Sequence, residues 1–109
     1  MEKPHPQNLH YLICPNAFKE SLSAVEVAMA IKEGLEKSST GTKTTLLPMA
    51  DGGDGSLEVL NVNLDLEKIR LPSVDVLGRE ISCVYGLGNK GMAFIEMAGS
   101  SGLHLVRKE

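Results

Sequence analysis

Two short apolar runs constrain this chain more than anything else in it. LHYLICP, Leu9 to Pro15, and KTTLLPM, Lys43 to Met49, are each followed by a stretch of helical character. The first run is almost wholly apolar and ends in proline, which fits a strand covered on both faces, as in a parallel sheet. Between the runs, Ser23-Ala24-Val25-Glu26 matches the S-x-x-E capping box. Leu22 and Val27 fall at the positions of a hydrophobic staple. Ala24, Val27, Ala28, Ile31 and Leu35 recur at helical spacing. Lys32 and Lys37 come late, where cations favour a helix end, and the SSTG run from Ser38 to Gly41 stops the helix. A second helix is expected from about Ser56 to Asn63, with Leu57, Leu60 and Leu64 on one side. Strand, helix, strand, helix over residues 9–65 predicts the start of a Rossmann-like parallel α/β domain.

The character changes near residue 66. No convincing helix pattern follows. EKIRLPSVDVLG, REISCVYGLG and KGMAFIEMA read as strands, with turns at Leu77-Gly78-Arg79 and Gly88-Asn89-Lys90-Gly91. Ile81, Cys83 and Tyr85 alternate as a half-buried hairpin strand should. The sequence thus predicts a disordered or clipped tail over 1–8, the α/β start over 9–65, and the beginning of a strand-rich second domain over 66–109.

Bulk properties exclude several functions. At 109 residues the chain is one domain at most, or a piece of a larger one. Compact, it would bury roughly 65% of its unfolded surface. A net charge of −3 and 4% aromatic residues without Trp argue against nucleic acid. No run approaches the ~20 apolar residues of a membrane span, and MEKPHPQN is too polar for a signal peptide. Cys14 and Cys83 are far apart, outside any CxxC, and are expected as buried free thiols in a reduced, cytoplasmic setting. His5, His10 and His104 lack ligand spacing.

Chemistry concentrates in two segments. PMADGGDGS, Pro48 to Ser56, sets Asp51 and Asp54 among Gly52, Gly53 and Gly55. Each glycine costs roughly 0.5–1 kcal/mol relative to Ala in lost unfolded-state freedom, and a tight turn needs one or two. If the two carboxylates lay about 5 Å apart at an effective dielectric near 20, they would repel by about 3 kcal/mol. One pKa would then rise by roughly two units unless a cation intervened, either a lysine or Mg²⁺. In open water the repulsion falls below ~1 kcal/mol; Asp54 is then a helix cap and Asp51 a solvated turn residue. The turn has no lysine, so it is not a Walker A loop. The second segment, CPNAFKES, Cys14 to Ser21, ends the first strand. Ligands of open α/β sheets sit beyond the carboxyl ends of the strands. Lys19, Asn16 and Ser21 are thus expected to meet the acidic turn across one cleft, with Phe18 packed in the core. Taken singly, Lys19 is an ordinary surface lysine.

These segments resemble the glycerate kinase family. Its members open with a strand, a P-D-S-F-K-E-S-like segment and a S-A-x-E-x-A-x-A-I-x-x-G-L-like helix, and later carry P-M-A-D-G-G-E-G-T. Here the places read Pro15 to Ser21, Ser23 to Leu35 and Pro48 to Ser56. VDVLGREISCVYGL and AFIEMAGSSGLHLV are similar to the family's next strands and its I-E-M-A-x-x-S-G-L segment, so the likeness spans Leu9 to Val106. Three positions depart: Asn16 for an aspartate, Asp54 for a glutamate, Ser56 for Thr. Family members are several times longer, so the chain matches their N-terminal portion, without the glycine-rich segments implied to cradle ATP. The resemblance implies transfer of the γ-phosphoryl group of ATP to D-glycerate with Mg²⁺, with this portion alone inactive. Lys19 and Asp51 would be catalytic, and Asp51 would orient the hydroxyl or hold Mg²⁺. Asn16, Ser21, Gly52, Gly53, Asp54 and Glu96 would bind substrate or phosphate. Open sheet edges predict self-association. The alternative is a non-catalytic α/β module, or a truncated remnant, that binds an anionic metabolite or a partner chain.

Overall fold

The computed structural model describes residues 9–38 and 41–106. The expected tail at 1–8, His5 within it, and residues 39 and 40 of the SSTG stop lie outside the described residues. The chain divides into two compact units, with the division between Met49 and Ala50. The change of character near residue 66 corresponds to the passage from the second helix to the third strand.

In the first unit, β1 (His10–Ile13) pairs in parallel with β2 (Lys43–Leu46), in register from His10↔Lys43 to Ile13↔Leu46. The ladder runs on past both strands: Leu47 N donates to Ile13 O (2.8 Å) and Met49 N to Pro15 O (2.8 Å). Between them α1 (Ala24–Ser38) packs on both strands through buried Ala24, Val27 and Ala28. Its capping box is formed in full. Ser23 N donates to Glu26 Oε2 (2.7 Å) and Glu26 N to Ser23 Oγ (3.2 Å). The rest of the predicted apolar face is only partly used, since Ile31 stays exposed. Leu12 is 62% exposed, so β1 buries one face through Ile13 rather than two. In a strand, neighbours point to opposite faces, and α1 covers only one.

The second unit opens with α2 (Ser56–Leu64). An antiparallel meander of β3 (Glu67–Val74), β4 (Glu80–Leu87) and β5 (Ala93–Ile95) follows. Ile81, Cys83 and Tyr85 are half-buried and stand opposite Ser73, Leu71 and Ile69. A single turn of helix, α3 (Ala98–Ser101), and a 3-10 turn at Leu103–Leu105 come last. The sequence pattern missed α3 because four residues are too few to show a period. Gly86 decides how α2 sits on β4. A Cβ there would stand 2.7 Å from Leu57 Cδ1 and 2.8 Å from Leu66 Cδ1, and Leu66 is buried.

The β3–β4 turn is organised by Asp75, a residue the sequence pattern did not single out. It is buried, at 6% exposure. Its Oδ1 accepts from Leu77 N (2.9 Å) and Arg79 N (2.9 Å), while Oδ2 accepts from Arg79 Nε (2.6 Å). The same guanidinium donates to Leu105 O (2.7 Å), tying the C-terminal turn to the hairpin. Gly78 takes the left-handed conformation (φ 75) that closes the turn. The Arg79 backbone N–H, joined by its guanidinium and Leu77 N–H, holds the Asp75 carboxyl below the usual carboxylate range against the opposing effect of burial.

Both cysteines are free, as expected, but neither is buried: Cys14 is exposed and Cys83 half-buried. Among the described residues no helix is long and apolar enough to cross a membrane.

Two outcomes follow from these contacts. Gly86→Ala should destabilise the chain by about 1–3 kcal/mol, since two leucine ends must move out of a packed space; a urea melt reads the change in midpoint. Asp75, with its folded pKa lowered, contributes stability that is complete above the unfolded value of about 3.9. That stability is lost as pH falls through the lower folded value. Asp75→Asn should flatten the pH dependence of melts taken between about pH 2 and pH 6.

Candidate active site

The segment Asn16 to Leu22 leaves β1 as a tight reversal. Phe18 N donates to Leu22 O (2.9 Å), while Leu22 N (3.1 Å) and Ser21 N (3.0 Å) both donate to Phe18 O. Lys19 and Glu20 form the tip, and Glu20 takes a positive φ of 60, which favours glycine or asparagine. Lys19 is exposed there and has no ion pair among the described residues. Asn16 turns its Oδ1 onto the amide of Ala17 (2.8 Å). Among the described residues Ser21 shows only its backbone bond. Phe18, expected in the core, is 60% exposed: the reversal spends its backbone on pairing with Leu22 and leaves the ring outside.

In the second unit the acidic turn is built from short internal bonds. Asp51 Oδ1 accepts from Gly53 N (3.0 Å), an Asx turn of the kind aspartate favours. Ser56 closes it, its N (3.2 Å) and Oγ (2.7 Å) both donating to Gly53 O. Gly52 (φ 94) and Gly55 (φ 86) occupy the left-handed region. Gly53 does not; a Cβ on it would stand 3.1 Å from Asp51 Oδ1. The three glycines therefore have two different causes, conformation and contact.

The start of α2 is capped from far along the chain. Gly55 N donates to Glu96 Oε1 (3.2 Å) and Leu57 N to Glu96 Oε2 (2.8 Å). Glu96 follows β5 directly and is half-buried. The capping reading of Asp54 is not realised, since Gly55 holds the cap position. Asp54 has no hydrogen-bond partner among the described residues. Asp51 and Asp54 are both exposed, the regime in which their repulsion falls below ~1 kcal/mol. Electrostatics alone therefore does not call for a cation between them.

Of the expected site residues, Asp51, Gly52, Gly53, Asp54 and Glu96 belong to the second unit, and Asn16, Lys19 and Ser21 to the first. The first group is linked through the turn and the start of α2. Among the described residues no group of three or more His, Cys, Asp or Glu is placed to hold a metal ion. Asp51 retains an oxygen without a partner among the described residues, and Mg²⁺ uses one or two carboxylates alongside water and substrate phosphates. One such carboxylate is compatible with an ion held mainly by water and substrate phosphates.

Comparison with known proteins agrees on one family. The model of the glycerate kinase family matches residues 11–109. A glycerate kinase from Haemophilus influenzae is 41% identical over 105 residues, covering 93% of this chain and 27% of the relative. One from Halalkalibacterium halodurans is 40% identical over 99 residues, with 90% and 26% covered. The glycerate 2-kinase of Escherichia coli is 37% identical over 99 residues, again with 90% and 26% covered. The crystal structure of a Salmonella typhimurium LT2 protein described as a glycerate kinase 2 superposes with a TM-score of 0.77 at 36% identity. It covers 93% of this chain and 27% of that one. The chain thus spans about a quarter of the length of these relatives.

The two causes of the loop's glycines separate by substitution. Gly55→Ala should destabilise by about 1–2 kcal/mol through its left-handed backbone, with open space around it. Gly53→Ala should cost less in a thermal melt but shift the amide resonances around Asp51 more. Equal melting losses for the two would contradict this assignment.

Proposed function

Because the chain belongs to the glycerate kinase family, we propose that it forms the N-terminal part of an enzyme that transfers the γ-phosphoryl group of ATP to a hydroxyl of D-glycerate. The observation that carries this reading is the family match running from residue 11 to residue 109. The 2-hydroxyl is the one to test first, since the E. coli relative is a glycerate 2-kinase. Phosphoryl transfer asks a protein for positioning and charge neutralisation more than for covalent chemistry.

Each segment supplies one of these. Lys19, exposed at the tip of its reversal, contributes the positive charge that neutralises the glycerate carboxylate or a transferring phosphoryl oxygen. Asn16 and Ser21 flank it as polar contacts. Asp51 orients the attacking hydroxyl or holds Mg²⁺, directly or through water. Bound Mg²⁺ would supply neutralisation of phosphate charge. Asp54 adds a second exposed carboxylate. Gly52 N–H remains for an anionic oxygen, whereas Gly53 N–H is already given to Asp51. The α/β start over 9–65 and the strand-rich part over 66–109 are read as beginnings of two domains. Exposed Leu12 on β1 and Ile95 (81% exposed) on β5 support self-association of this chain.

An amide NMR titration with D-glycerate and then Mg²⁺ tests the proposal. Shifts confined to Asn16–Ser21 and Asp51–Ser56 are expected, and Lys19→Ala or Asp51→Asn should abolish them. A dispersed spectrum blind to both additions would instead favour a non-catalytic module. The same spectra report self-association through lines that broaden with concentration; narrow lines at every concentration would count against it.

A further inference from the structure

A glycine-rich turn running into a helix is a common place to bind phosphate, because the first helix amides and the helix dipole favour negative charge. Here four amides of the turn and the helix start are engaged from within the molecule. Gly53 N is held by Asp51, Ser56 N by Gly53 O, and Gly55 N and Leu57 N by the two oxygens of Glu96. Glu96 has no cationic partner among the described residues. Its charge is directed onto the positive end of α2. An external anion would have to displace a tethered carboxylate and would meet Asp51, Asp54 and Glu58 on or beside the same turn.

We propose that Glu96 is a positioning residue that closes the Gly55 and Leu57 amides at the start of α2 to external anions, so that the turn from Asp51 to Gly55 offers its ligand chiefly carboxylates. Such a turn accepts a hydroxyl proton or holds a hydrated cation, with the Gly52 amide left for a single anionic oxygen. Glu96 acts through Gly55 and Leu57, fixing the end of the loop that carries Asp51 and Asp54. The identity of the hydroxyl as one of glycerate rests on the kinase reading. The closure of the helix start does not.

The test is amide NMR on this chain with inorganic phosphate as the probe, combined with hydrogen exchange. In the wild type, phosphate should leave the Gly55 and Leu57 resonances unmoved. In Glu96→Gln, exchange at those two amides should quicken several-fold while Val59 to Leu64 keep their protection. Glu96→Asp, which keeps the charge with a shorter reach, should restore protection at one of the two. Saturable phosphate shifts at Gly55 and Leu57 in the wild type would overturn the proposal, as would unchanged exchange in Glu96→Gln. If Glu96→Gln does not fold, the wild-type phosphate titration and Glu96→Asp decide it. Silence toward D-glycerate and Mg²⁺ in the same wild-type sample would count against the kinase reading and leave the role of Glu96 standing.

Discussion

At Gly86 the β4 backbone carries no Cβ, and the ends of Leu57 and Leu66 occupy the space one would take. That approach sets the height of α2 above the meander. With the helix seated there, the carboxylate at the end of β5 reaches the amides at its start, 39 and 41 residues away in the chain. An added methyl at Gly86 would lift Leu57, whose own N–H is the shorter of the two bonds to Glu96. Packing at one glycine and capping by one glutamate are therefore coupled, through a side chain and a backbone group of the same residue.

The acidity of the PMADGGDGS turn follows from this arrangement. A glycine turn that receives phosphate needs positive charge and free amides, and lysine commonly supplies the first. Here the helix dipole is met by Glu96 and the Gly53 amide by Asp51. What remains on the outside is chiefly carboxylate, with the Gly52 amide beside it. In a phosphoryl-transfer enzyme that is the equipment for handling the accepting hydroxyl or a magnesium ion. The first unit instead exposes a cation, Lys19, at the tip of a backbone-locked reversal, with Glu20 held at a positive φ.

Asp75 plays a comparable role at the other end of the meander. Its buried carboxylate gathers two amides and a guanidinium, and that guanidinium goes on to the carbonyl of Leu105. Of the leucines in the C-terminal turn, Leu103 is 88% exposed and Leu105 only half-buried. The turn's attachment includes one charge-assisted bond, from Arg79 to Leu105 O. A motif reading had a signal for this, an aspartate two residues ahead of a turn amide, but nothing in the pattern marks that aspartate as buried.

Local rules carried much of the reading. The capping box lies within four residues, and both of its bonds form where the spacing placed them. The strand–helix alternation and the three-strand meander depend on periods of two and of about four and are present. The third strand read over KGMAFIEMA shortens to Ala93–Ile95, between a 3-10 turn and α3. The resemblance to one family rested on short motifs and matches the comparison across residues 11–109. What the sequence could not decide was which groups are covered and which amides are already taken. Phe18 and Leu12 look like core residues and are exposed, because burial depends on what packs against a face. Glu96 was expected to bind substrate or phosphate. Only tertiary structure, by closing a gap of some forty residues, makes it the counter-charge of α2. Hydrogen-bond partners that distant leave no periodic trace in the chain, and so the number of glycines in the turn was legible while the owner of its amides was not.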